Sequence, residues 1–108
     1  MLFSASNSIP ITSIDNISYF SLNDFIDVLE LKSDFVIDNN KAIIYYKNHR
    51  IVLSGGCSYI LINNDIYHLY HHVLYTKDDF YIPVFSFIQH IKKNKSFKFL
   101  HEFLYIAL

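Results

Sequence analysis

The chain reads as an α+β domain, an antiparallel β-meander of about five strands packed on two short amphipathic helices. Three observations predict this. Turn signals recur every seven to nine residues between Asp34 and Leu69, too closely for the long crossovers that parallel strands require. Two stretches, Leu22 to Leu29 and Val84 to Ile91, place apolar residues at i, i+3, i+4 and i+7, the period of a helix with one buried face. Each of these stretches follows directly on a short strand.

The first strand is Ile17-Ser18-Tyr19-Phe20, and it runs into a helix through Ser21, a good N-cap. Asp24, three residues later, approximates a capping box. Leu22, Phe25, Ile26 and Leu29 form the helix stripe, while Asp24, Asp27 and Glu30 fall off it. Asp34 to Ile37 reads as a strand closed by the turn Asp38-Asn39-Asn40. Ala42 to Tyr46 and Arg50 to Leu53 are rich in β-branched and aromatic residues and fold about Lys47-Asn48-His49. Gly55-Gly56 breaks the chain. Tyr59 to Ile62 and Ile66 to Leu69 form another hairpin about Asn63-Asn64-Asp65, where Asn tolerates a left-handed backbone. The turn Lys77-Asp78-Asp79 precedes the strand Phe80-Tyr81-Ile82. Pro83 then opens a second helix, whose stripe is Val84, Phe87, Ile88 and Ile91.

The end thus repeats the beginning. A shift of 62 residues places Tyr19 on Tyr81, Leu22 on Val84, Phe25 on Phe87, Ile26 on Ile88 and Leu29 on Ile91. The two stripes are the predicted heart of the core. Domain bounds follow as an N-terminal segment 1–13, a domain 14–95 and an extra element 96–108. Met1-Leu2-Phe3-Ser4-Ala5-Ser6 resembles the last part of a secretory signal peptide, so the chain is expected to be extracytoplasmic, with that signal incomplete. In the extra element Phe97, Phe99, His101 and Phe103 alternate like a strand, while Leu100, Phe103 and Leu104 also suit a helix. Its apolar end, Ile106-Ala107-Leu108, needs a partner surface, and self-association into a homodimer is one way to supply it.

Composition excludes several function classes. With 108 residues there is one domain, and at 52% hydrophobic it can bury a core. A net charge of −1 lacks the broad basic field of a nucleic-acid binder. One Cys forms no internal disulfide, and no apolar run reaches the length of a membrane span. Ile, Asn, Lys, Tyr and Phe make up 52 of the 108 residues, beside a single Arg. Their codons are AT-rich, so the abundance of aromatics reflects genome composition before it reflects a ligand.

Motifs that could carry chemistry have plainer explanations. His68, His71 and His72 would share a face only on a helix, and their segment reads as strand and loop, so metal binding is not expected. Cys57 reads as a small buried hydrophobe after the glycine turn. Asp24, Asp27 and Glu30 are the solvated side of a helix. Lys92, Lys93, Lys95 and Lys98 suit a helix C-terminus. No phosphate-cradling loop, nucleophile elbow or Cys-pair zinc motif is present in the sequence. The credible binding surface is aromatic: Tyr45, Tyr46, Tyr67, Tyr70 and Tyr75 lie on or near strands, and alternation turns some of them outward.

The order of elements resembles the copper amine oxidase N-terminal-like domain, or stalk domain, of bacterial secreted and cell-wall proteins. The residues that carry the resemblance are Tyr19-Phe20-Ser21-Leu22 at the first strand and helix, Gly55-Gly56, the turn Ile62-Asn63-Asn64, and the segment from Asp78 through Tyr81-Ile82-Pro83-Val84 to Phe87. It spans Ile14 to Lys92. The family usually has Gly where Asn64 and Asp79 stand, and Asn and Asp are common substitutes in positive-φ turns. The resemblance implies a non-catalytic module beside enzymes such as N-acetylmuramoyl-L-alanine amidases, with no copper ligands, no catalytic residues and no cofactor. Its implied partner is a cell-wall polymer or a cell-wall enzyme, which it positions or anchors.

Overall fold

Two strand–turn–strand–helix units begin and end the described part of the chain. In the computed structural model, which describes residues 9–36, 40–76 and 78–93, the elements run β1 (Ile11–Ile14), β2 (Ile17–Ser21), α1 (Leu22–Leu29), β3 (Lys32–Val36), β4 (Lys41–Tyr46), β5 (His49–Ser54), β6 (Tyr59–Ile62), β7 (Asp65–His68), β8 (Leu74–Thr76), β9 (Asp79–Pro83) and α2 (Val84–Lys93). The fold is α+β. A five-stranded antiparallel meander, β3-β4-β5-β6-β7, is joined by a four-stranded antiparallel sheet ordered β1-β2-β9-β8. The expectations for Met1 to Ser6, Asp38-Asn39, Lys77, Lys95, Lys98 and the tail from Phe97 to Leu108, including its part in self-association, fall outside the described residues.

The 62-residue repeat is a structural one, and its register is conserved. Thr12 faces Tyr19 and Ile14 faces Ile17 in the first hairpin; Leu74 faces Tyr81 and Thr76 faces Asp79 in the last. β2 and β9 pair antiparallel about Phe20 and Ile82, with Tyr19 opposite Pro83 and Ser21 opposite Tyr81. A local two-fold axis through the Phe20–Ile82 pair therefore exchanges the two units. The sequence periodicity missed β1 and β8. β1 is exposed along three of its four residues and β8 is three residues long, so neither carries an alternation long enough to read. Ile9 is buried in the core, and β1 pairs with β2 along its whole length.

Both helices rest on β2 and β9. Leu22, Phe25, Leu29, Val84, Phe87 and Ile91 are buried, as their spacing predicts, while Ile26 and Ile88 are half-buried against the same cluster. Phe20, Phe25 and Phe87 are wholly buried, with ring centroids 5.4 to 5.8 Å apart and Phe25 edge-on to Phe87. That geometry suits the ring quadrupoles, worth about 0.5–1.5 kcal/mol per pair beyond area burial. Pro83 closes β9, one position before the first helical residue, and its lack of an N–H costs no hydrogen bond inside the helix.

The five-stranded sheet supplies the rest of the core through two cross-strand rows. Ala42, Leu53 and Ile60 are neighbours across β4, β5 and β6, as are Ile44, Ile51 and Ile62, and all six are buried. On the opposite face Ile43, Val52 and Leu61 form a half-buried apolar row that ends at exposed Ile66. Two-residue turns with positive φ close two hairpins, Asp15-Asn16 (51° and 66°) and Asn63-Asn64 (51° and 73°).

Gly55-Gly56 joins the two sheets. Gly55 N–H donates to Asn40 O at 2.8 Å and Gly56 N–H to Val73 O at 2.7 Å, while Val73 N–H returns a bond to Cys57 O at 2.8 Å. A Cβ on Gly55 would sit 2.7 Å from Tyr75 Cβ, a rigid neighbour on β8. Gly55→Ala is therefore expected to lower the unfolding free energy by about 1–3 kcal/mol through overpacking. Urea denaturation read by tyrosine fluorescence checks this.

Candidate functional site

The two helix starts hold equivalent places in the strand register but differ in chemistry. Ser21 takes extended dihedrals (φ −78°, ψ 133°), and its Oγ accepts the Asp24 N–H at 3.2 Å. Asp79 reaches across from β9 to complete this cap. Its Oδ2 accepts from Ser21 Oγ at 2.5 Å, and its Oδ1 accepts from the N–H groups of Asn23 at 3.1 Å and Phe80 at 2.8 Å. A carboxylate is thus bound at the α1 N-terminus, where helix N–H groups have no partner within the helix and the dipole favours negative charge.

At the start of α2 the residues in these roles are Pro83 for Ser21 and Ile17 for Asp79. Neither carries a side-chain acceptor. A cavity of about 210 Å³ opens there, lined by Asn16, Ile17, Tyr70, His71, Phe85 and Ser86 among others. Tyr70 and Phe85 are 85% and 73% exposed, the two most exposed large hydrophobic side chains among the described residues. Ser86 is only 6% exposed, and its Oγ has no hydrogen-bond partner.

The aromatic candidates separate clearly in the structure. Tyr70 is the one that stands out from the surface. Tyr45, Tyr67 and Tyr75 are half-buried, and Tyr46 is not a surface residue at all, since it lies in the core row of β4. Tyr45 donates from its hydroxyl to Asp34 Oδ2 at 3.0 Å, a bond that holds the phenol above its ordinary value. Phe85 was missed by sequence reasoning. Its signal is a large apolar side chain off the stripe of an amphipathic helix, where the equivalent residue in the first unit is Asn23.

The histidines do not converge on one point. His68 is exposed on β7 and its carbonyl oxygen lies 2.6 Å from His90 Nε2; His71 lines the cavity; the carbonyl of His72 accepts from the Tyr19 hydroxyl at 3.2 Å. Among the described residues no group of three or more His, Cys, Asp or Glu is placed to hold a metal ion. Cys57 is a half-buried free thiol, not the enclosed hydrophobe expected, because it belongs to the turn that links the sheets. Asp27 and Glu30 are exposed, whereas Asp24 is half-buried beside Asp79. Lys93 is exposed at the end of α2.

A second, more open cavity of about 470 Å³ lies at the ends of the β4–β5 and β6–β7 hairpins. Its polar groups already engage one another. Asn63 Oδ1 accepts the Arg50 N–H at 2.9 Å, Asn63 Nδ2 is 2.7 Å from His49 Nδ1, and the Arg50 guanidinium donates to Asn64 Oδ1 at 2.9 Å. Lys47 Nζ lies 5.3 Å from the Tyr46 ring centroid. This set locks two turns together, and the α2 cavity is the stronger candidate.

Compared with known proteins, the chain matches no family model, no curated sequence and no solved structure. Among the described residues no helix is long and apolar enough to cross a membrane.

Two measurements check the electrostatics of the first helix start. Asp79→Ala removes the acceptor of Ser21 Oγ and the Asn23 N–H, and is expected to lower the unfolding free energy by about 1–2 kcal/mol in a denaturant titration. The Asp24 carboxyl is held above its ordinary value of 3.8 by burial first, then by the charges of Asp79 and Asp27. A raised carboxyl binds its proton more tightly in the folded state, so its penalty is absent below that value and grows as pH rises through and beyond it. Asp24→Asn should therefore melt at a higher temperature than the parent chain at ~pH 7, with the difference vanishing by ~pH 3.

Proposed function

We propose that this domain is a non-catalytic cell-envelope accessory module. In this reading it is exported and positions or anchors a partner, such as a cell-wall hydrolase, by surface binding to a wall polymer or to the enzyme itself. Support comes from the stalk-domain resemblance of the segment from Ile14 to Lys92, and from the α+β architecture with its matched strand–helix units. The observation that carries the reading is the pair of exposed rings, Tyr70 and Phe85, flanking one concave site. Exposed aromatic side chains beside a cavity stack on sugar rings or fill a partner's pocket, and they bring large contact area at low conformational cost.

The reading requires binding without turnover. Purified protein should co-sediment with insoluble peptidoglycan, and retention should persist at high salt because aromatic contact is not screened as exposed charges are. Tyr70→Ala and Phe85→Ala should each weaken retention by about tenfold, the usual loss for an aromatic anchor. Failure to co-sediment at any salt concentration would remove the wall-polymer form of the proposal. Retention lost on adding salt would point to non-specific attraction by lysines and count against the aromatic site.

A further inference from the structure

The internal repeat supplies a comparison within one molecule. Residues that differ by 62 occupy equivalent places, so what fills one helix start shows what the other is shaped to receive. Along the β2–β9 pairing, Asp79 lies opposite Asn23, and Ile17 lies opposite Phe85 by the same register. The first helix start holds the Asp79 carboxylate on a hydroxyl and a backbone N–H. The second holds the equivalent place in the register, and its cavity lining includes no acidic residue.

Three features make the second start a binding site and more than an uncapped helix. The buried Ser86 hydroxyl is unpartnered. It stands at the third helical position, where side chains tilt toward the N-terminus, and Ser86 is among the residues that line the cavity. In a capping box such a residue would bond the N–H of the residue before the helix, and here that residue is Pro83, which has none. A buried donor left without an acceptor is unfavourable, and α2, with ten residues, brings leading N–H groups and its dipole to the same place. The walls are apolar and aromatic, and His71 and Asn16 add polar groups at the cavity.

We propose that the cavity at the start of α2 binds a carboxylate, held by the leading N–H groups of the helix and the Ser86 hydroxyl, on a ligand whose ring or apolar portion lies against Tyr70 and Phe85. This identifies the chemistry recognised by the face already assigned to partner binding, and it rests on that assignment. A carboxylate fits better than a larger anion because the equivalent site is filled by one from within the chain. Both a carboxylate-bearing wall polymer and the C-terminus of a peptide present this chemistry.

The test is a two-dimensional NMR titration of the full chain with benzoate, acetate and inorganic phosphate. Benzoate should shift the Phe85 and Ser86 amides saturably, with acetate acting at the same amides more weakly. Ser86→Ala should reduce benzoate affinity about tenfold, as expected for a hydrogen bond to a charged group, while raising the thermal midpoint because a buried orphan hydroxyl is removed. A purely structural serine would give no loss of binding. Ile17→Asp supplies the acid that Asp79 provides at α1; it should abolish the benzoate shifts and also raise the midpoint. Shifts from phosphate but from neither carboxylate would overturn the ligand class, and benzoate binding untouched by both variants would overturn the site. Benzoate binding without retention on peptidoglycan would sustain the carboxylate site and remove the wall-polymer reading; retention without benzoate binding would do the reverse.

Discussion

Everything in this fold hangs on the antiparallel pairing of β2 with β9. These two strands are far apart in sequence, yet they lie side by side at the centre of the four-stranded sheet, and each delivers a helix onto the core. The pairing is centred on Phe20 and Ile82, both wholly buried. The two-fold relation that follows brings Phe25 and Phe87 together on Phe20 as a three-ring cluster. Closing a chain over that separation carries a loop entropy that only substantial burial offsets. The aromatic cluster and the two helix stripes provide that burial.

The five-stranded meander is what the closure encloses. Its contacts are local in sequence, each strand pairing with the next, and it contributes one buried face to the common core. Beyond that shared core, backbone bonds of Val73 to Gly56 and Cys57 tie the meander to the approach to β8, while Gly55 bonds back to Asn40 within the meander. The close approach of Gly55 to Tyr75 explains why the smallest residue stands there. α2 adds a second tie, through the His90 ring packed on Tyr67 and reaching the His68 carbonyl.

Symmetry in the backbone sets off the asymmetry in chemistry. The two units share register, helix stripes and the Tyr19/Tyr81 position, and they part company at the polar positions around the helix starts. One start is internally satisfied by Ser21 and Asp79; the other carries Pro83, Ile17, a buried unpartnered hydroxyl and two exposed rings. Structural requirements account for the shared residues, because both copies must fill the same core. They do not account for leaving Phe85 in solvent and Ser86 without a partner. Such departures from local consistency tend to mark functional sites.

Among the described residues, periodicity and turn chemistry in the sequence determined both helices, seven of the nine strands and the α+β class. Those signals are local: a helix stripe such as Val84, Phe87, Ile88 and Ile91 is written in consecutive residues, and Asn63-Asn64 needs only its own backbone to turn. The 62-residue repeat was also legible, as matched apolar positions. That β2 and β9 would pair about Phe20 and Ile82, and that β1 and β8 would flank them, was decided only by the tertiary structure. Strand pairing depends on contacts between segments far apart, and β1, mostly exposed, and β8, three residues long, carry little alternation to read. The site was less legible still. Tyr46 and Tyr70 look alike in sequence and differ wholly in exposure, and Asp79 is a turn residue until β9 sets it beside the first helix. Ser86 becomes chemically distinctive only because Pro83 precedes its helix and Ile17, from the opposite unit, stands where an acid stands in the first.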